Sequence, residues 1–203
     1  MTTLFVNAAF RDGSRTQRLT ECYLEGVEGE IVEVDLGSRR FPSFDAATLA
    51  TYNSAVAAHE FSDPMFDAAK QFAQADEVVI AAPFWNYGIP AVLHDYLENV
   101  CVQGLTFDLD PTGVYFGMCR ARRLVYITTS GGPIPQPDCG FGYVASLARD
   151  FWHIPEAVCY KAAGIDIWGC DVESELERVC EQIRADRTTM AHRISKGDLA
   201  AEK

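Results

Sequence analysis

No stretch of this 203-residue chain approaches the roughly 20 apolar residues that span a bilayer, and no basic segment precedes the opening apolar run Leu4-Phe5-Val6. A protein of the cytoplasm, not of a membrane, is expected. Basic residues are scarce: 17 Lys and Arg stand against 29 Asp and Glu, a formal net charge of −12. That deficit argues against nucleic acid and anionic membrane as partners, since both require a basic footprint. An anionic small ligand needs only a local cluster of donors and is not excluded. The seven cysteines include no Cys-x-x-Cys pair, and an odd number without framework spacing points to reduced thiols. Also missing are the G-x-x-x-x-G-K-[ST] and G-x-G-x-x-G phosphate loops, the G-x-S-x-G elbow, a Cys-x5-Arg nucleophile loop and a clustered His/Asp metal set. Hydrolase chemistry and a resident metal therefore have no foothold.

What is present is an alternation of strand and helix patterns. Strands are expected at Leu4-Phe5-Val6, Glu30 to Asp35, Glu77 to Ala82, Leu124 to Thr129 and Ala157 to Ala163. Helices are expected at Ser14 to Gly26, Ala46 to His59, Pro64 to Ala75, Pro90 to Gln103, Tyr143 to Trp152 and Val172 to Arg193, with a frayed tail from Lys196. Strands separated by helices imply an α/β fold: a doubly wound, five-stranded parallel sheet with helices on both faces. No repeat or composition break divides the chain, so residues 1–203 read as one domain.

In such a sheet, the loops after the first, third and fourth strands meet at one edge, where ligands bind. The first, Ala8 to Thr16, places Ser14 and Thr16 around Arg15 at a helix start. Backbone N–H groups, the helix dipole and two hydroxyls there suit a monophosphate, though a helix cap without a ligand reads equally well from this loop alone. The second, Pro83-Phe84-Trp85-Asn86-Tyr87-Gly88-Ile89-Pro90, offers flat surfaces for a planar ring and an amide for its edge. The alternative is a strand-to-helix turn carrying an aromatic lid. The third, Thr128-Thr129-Ser130-Gly131-Gly132, has two glycine N–H groups free to point at one acceptor. Phosphate donors, stacking aromatics and ring-edge donors follow in the chain order that a flavin mononucleotide requires.

Those three segments, with Leu93, Tyr96 and Gly104-x-Thr106-Phe107, resemble the FMN-dependent NADH:azoreductases and NAD(P)H:quinone reductases of the flavodoxin-like superfamily, from about Leu4 to the last helix. The resemblance implies FMN held by Ser14, Arg15 and Thr16 at its phosphate, by Pro83 to Tyr87 at its ring and by Ser130, Gly131 and Gly132 at its pyrimidine side. It implies NADH or NADPH as donor, a quinone, azo or nitro compound as acceptor, and ping-pong kinetics. It also implies a homodimer in which Phe151 and Trp152 reach the partner's site, though ordinary core packing of that helix reads equally well for this pair. Three segments depart from the family pattern: Ala8 replaces a serine, and Asp108-Leu109-Asp110-Pro111 and Cys139 to Tyr143 differ. No nucleophile is required. His94 and His153 are candidate proton donors, while His59 and His192 read as solvated. The excursion from Leu36 to Asp76 and the stretch Pro133 to Pro137 are expected to wall a substrate pocket. That favours an enzyme over a flavodoxin-type electron carrier, while a cofactor-free binding protein of the same fold stays open, because fold does not dictate function.

Overall fold

The computed structural model describes residues 1–195, with side chains in the last helix as far as Thr188. The tail from Lys196 and the ring of His192 lie outside the described residues. Five parallel strands form the central sheet: β1 (Thr2–Asn7), β2 (Glu30–Asp35), β3 (Glu77–Ala81), β6 (Arg123–Ser130) and β7 (Glu156–Ala163), in the order β2-β1-β3-β6-β7. The expected flavodoxin-like α/β sheet is present. Helices α1 (Arg15–Leu24), α2 (Ala46–Ala58), α3 (Asp67–Gln74), α4 (Ala91–Val100), α5 (Phe141–Ser146) and α6 (Val172–Ser195) connect or follow the strands.

Alternation along each strand sends neighbouring side chains to opposite faces and builds two cores. Leu4, Val6, Val78, Ile80, Leu124 and Tyr126 pack with Phe72, Leu93, Tyr96 and Val144 from α3, α4 and α5. Phe5, Val79, Val125 and Ile127 pack with Leu19 and Tyr23 of α1 and Leu176, Val179 and Ile183 of α6. All five β3 residues are buried, which accounts for their unbroken apolar run after Glu77.

Several details differ from the sequence reading. A short antiparallel hairpin, β4 (Phe107–Leu109) and β5 (Tyr115–Gly117), accompanies the main sheet. Its strands are too short for a periodic signal, and its turn rests on Asp110, whose Oδ1 accepts the N–H groups of Thr112 and Val114. The helix expected from Tyr143 to Trp152 is α5 followed by a π-helical turn at Leu147–Phe151, closed by the Trp152 N–H on the Leu147 carbonyl at 3.0 Å. Trp152 is fully buried against Phe72, with ring centroids 4.5 Å apart, so it reaches no other chain. Half-buried Phe151 lies against Phe107 and Tyr115.

Not all the thiols are free. Cys22 and Cys180 form a disulfide because α1 and α6 pack side by side. Two further contacts join α1 to the segment around α6, Arg15 with Asp166 and Arg18 with Glu173. Glu173 and Cys180 lie seven residues apart, two helical turns, on one side of α6, while Asp166 belongs to the loop before it. The excursion after β2 forms its own small core, where Tyr52, Ala55 and Val56 of α2 meet Phe66 and Val102. No described helix is long and apolar enough to cross a membrane.

Candidate functional site

The chain leaves β1 toward α1 on one face of the sheet and leaves β3 toward α4 on the other. Between these diverging connections, at the carboxyl ends of the strands, a doubly wound sheet opens a crevice. Four loops build it. The first is anchored at Asn7, whose Oδ1 accepts the Ala9 N–H at 2.9 Å while its Nδ2 donates to Glu33 at 3.0 Å. Gly13, at φ +66°, turns the chain into α1. Ser14 caps the helix, its Oγ accepting the Gln17 N–H at 3.3 Å. The N–H groups of Arg15 and Thr16 then find no acceptor among the described residues. Thr16 is buried, and its hydroxyl lies 2.7 Å from that of Thr129, joining the first loop to the end of β6.

The aromatic loop is pinned to β6 by the Phe84 N–H, which donates to the Thr129 carbonyl at 2.9 Å. Trp85 and Gly88 exchange both backbone hydrogen bonds, at 3.1 and 2.9 Å. Asn86 and Tyr87 between them have φ of 50° and 66°, the signature of a type I′ turn. The positive φ of this turn thus falls on Asn86 and Tyr87 and not on the neighbouring Gly88. An aromatic residue at positive φ is strained, of order 1–3 kcal/mol, and such strain concentrates at functional sites. The turn leaves Trp85 partly exposed and Tyr87 73% exposed.

At the end of β6 the carbonyls of Ser130, Gly131 and Gly132 accept N–H groups from Ile165, Asp166 and Gly164. The Gly131 and Gly132 N–H groups have no acceptor among the described residues. The fourth loop, after β7, carries Asp166, whose carboxylate takes the space a side chain on Gly131 would need. Asp166 also pairs with Arg15 at 2.5 Å.

A cavity of about 170 Å³ lies among these loops. Of the expected site residues, Ser14, Arg15, Thr16, Pro83, Phe84, Trp85 and Gly131 line it, while Asn86, Tyr87, Ser130 and Gly132 stand beside it. Arg11 also lines it, unlike Arg120, Arg122 and Arg123, which belong to the other end of β6. Ala8, Ala9, Thr129, Ile165 and Asp166 complete the wall. The sequence reading missed the Gly164-Ile165-Asp166 loop. Its signal was available in outline, because a turn after a strand neighbouring β6 must end at the same edge. Neither the Leu36 to Asp76 excursion nor Pro133 to Pro137 lines the cavity, contrary to expectation, because α2 is committed to its own aromatic core.

The two candidate proton donors are separated. His94, on the first turn of α4, is exposed, stacked on Tyr143 at 5.7 Å and 3.8 Å from Glu98, and does not line the cavity. His153 is exposed just ahead of the N-terminal end of β7, opposite the cavity, which removes it as a donor there. Nearby, burial pushes the Tyr143 phenol above its ordinary range, as do Cys101 and Glu98 to a lesser degree. No described group of three or more His, Cys, Asp or Glu side chains is placed to hold a metal ion.

The arrangement can therefore bind an extended ligand with an anionic end at α1, a planar portion beside Phe84 and Trp85, and an acceptor edge at Gly131 and Gly132. Residues 1–150 match a family model described as flavodoxin-like fold. An FMN-dependent NADH:quinone oxidoreductase 2 of Clostridium acetobutylicum is 36% identical over 121 residues, 57% of this chain and 60% of that protein. An FMN-dependent NADH:quinone oxidoreductase of Coprothermobacter proteolyticus is 29% identical over 180 residues, 84% of this chain and 89% of that one. Among solved structures, an FMN-dependent NADH-azoreductase from Bacillus anthracis in complex with FMN superposes with a TM-score of 0.78 at 21% identity, covering 94% of this chain and 99% of that one.

Proposed function

Since the chain belongs to the flavodoxin-like fold family, we propose that it is an FMN-dependent oxidoreductase transferring electrons from NADH or NADPH to a quinone, with azo and nitro compounds as further acceptors. The observation that carries this reading is the pair of unspent donor sets, Arg15 and Thr16 at the start of α1 and Gly131 and Gly132 after β6, beside an aromatic-walled cavity. A flavin mononucleotide has an anion and a polar ring edge to meet them. The residues present fit that group: backbone donors and Arg11 for its anion, aromatic side chains for its ring.

When bound, FMN supplies the two-electron chemistry between nicotinamide and acceptor. The rest falls to the chain. The α1 N-terminus, with Arg11, Arg15 and Ser14, holds the phosphate. Phe84 and Trp85 flank the ring system, while Asn86 and Tyr87, held by the I′ turn, shape its outer margin. Gly131 and Gly132 would offer N–H groups to the polar edge of the ring, each well-placed donor contributing about 3 kcal/mol of electrostatic stabilisation. Ser130 terminates β6 and positions both glycines. His94 is the imidazole available on the cavity's end of the sheet to supply a proton to an acceptor.

Donor and acceptor would use one site in turn, giving ping-pong kinetics. One FMN would be bound per chain, in a single domain of a cytoplasmic homodimer. An absorbance spectrum of the purified protein, before and after anaerobic NADH, tests this. Flavin bands that bleach with NADH and recover with benzoquinone are expected. A flavin indifferent to both nicotinamides would indicate a one-electron carrier, which the missing pocket walls from the excursion no longer argue against. No flavin uptake after FMN is added would overturn the oxidoreductase reading.

A further inference from the structure

The Arg15–Asp166 pair differs from its neighbour one turn along α1. Arg18 and Glu173 lie outside the small cavity, whereas Arg15 and Asp166 both line it. The carboxylate is held in place: the Asp166 N–H donates to the Gly131 carbonyl at 2.9 Å, the Ile165 N–H donates to Ser130, and one carboxylate oxygen is taken by Arg15 while the other lies over Gly131. The guanidinium of Arg11, in the same wall, has no ion-pair or hydrogen-bond partner among the described residues, its backbone carbonyl alone accepting the Ser14 N–H. The phosphate end of the cavity therefore holds one free cation and one already engaged by an anion.

We propose that Asp166 is a specificity-determining residue of the site, competing with the ligand's phosphate for Arg15 and so limiting how much a phosphate adds to binding. The proposal rests on the flavin reading and deepens it. A phosphate seated at the α1 N-terminus must share Arg15 with the carboxylate or draw it away, and it faces a like charge while doing so. A ligand with the same ring and side chain but no phosphate meets neither cost. Through Arg15, Asp166 thus acts on the discrimination between phosphorylated and unphosphorylated flavins.

The test is a titration of the flavin-free protein with FMN and with riboflavin, followed by quenching of flavin fluorescence, in the wild type, Asp166→Asn and Glu173→Gln. Asp166→Asn is expected to raise the FMN-to-riboflavin affinity ratio roughly threefold to fivefold, the scale of one exposed ion pair. Glu173→Gln should leave the FMN-to-riboflavin ratio as in the wild type. An unchanged or lowered ratio in Asp166→Asn overturns the proposal while flavin binding stands, as would an equal rise in Glu173→Gln. Wild-type protein that quenches neither flavin overturns the flavin reading and this proposal together.

Discussion

The two ends of the parallel sheet hold similar side chains in opposite conditions. At the amino ends of the strands Glu77 is buried and accepts hydrogen bonds from Tyr23 at 2.7 Å and Thr3 at 3.4 Å. Arg123, beside it on β6, is equally buried, with Glu156 and the Tyr160 hydroxyl in reach. Tyr160 continues to Asp186, and Arg187 lies over the Tyr23 ring at 4.5 Å. Burial, followed by the Glu77 charge, pushes the Tyr23 phenol far above its usual range. Burial also pushes Tyr160 up to about 12, partly offset by Arg123. Even the Arg123 Nε and Nη1 groups, which lack hydrogen bonds, are enclosed by protein. At the carboxyl ends the donors without partners are backbone N–H groups, and they lie around a cavity. Charged and hydroxyl residues thus do not mark a site by their type. Geometry does: helix N-termini and strand-end loops at this edge leave N–H groups unspent around a cavity.

The comparison can be broken most forcefully at the closed end. Arg123→Ala leaves Glu77 buried beside one fewer cation and should cost about 3–5 kcal/mol in urea denaturation, with flavin affinity of the folded protein within about twofold of wild type. A stability loss below about 1 kcal/mol would show that the amino-end cluster is solvated and not a closed network. At the open end, Gly131→Val should do the reverse. Its side chain collides with Asp166 and fills the approach to the glycine N–H groups, so flavin affinity should fall about a hundredfold, or 2.7 kcal/mol. Unaltered flavin affinity in that variant would remove Gly131 from the site.

The smallest effect concerns the thiols. Burial pushes Cys101, Cys119 and Cys159 up to about 12, so at pH 8 they remain protonated and should alkylate slowly. Exposed Cys139 and Cys170 should react with iodoacetamide first, as mass spectrometry of the modified peptides would reveal. Cys159→Ala should lower stability by about 1 kcal/mol and leave flavin affinity unchanged. Rapid labelling of Cys159 in the native protein would contradict its place in the core.

How much of this was legible varies with the range of the interaction. Runs such as Val78-Val79-Ile80-Ala81 carry their own strand signal, and the helices between them reveal a parallel sheet, because only crossover connections join parallel strands. The convergence of Ser14 to Thr16, Pro83 to Trp85 and Gly131 followed from that topology. The Cys22–Cys180 bond did not, since its partners are 158 residues apart and meet only when α1 and α6 share a face. Trp152 illustrates the same limit: beside Phe151 and His153 it reads as a surface aromatic, yet the π-helical turn rotates it onto Phe72.

By itself, the sequence determined the strand order's raw material, the two faces of each strand and the three loops that would share an edge, because periodicity and turn chemistry are local properties. Tertiary structure alone decided that Asn86 and Tyr87, not Gly88, bear the turn's positive φ, that Asp166 joins Arg15 in the cavity wall, and that Arg123 is locked away from it. Each of those outcomes depends on which distant backbone a residue is pressed against, and that is settled only when the sheet closes its helices around itself.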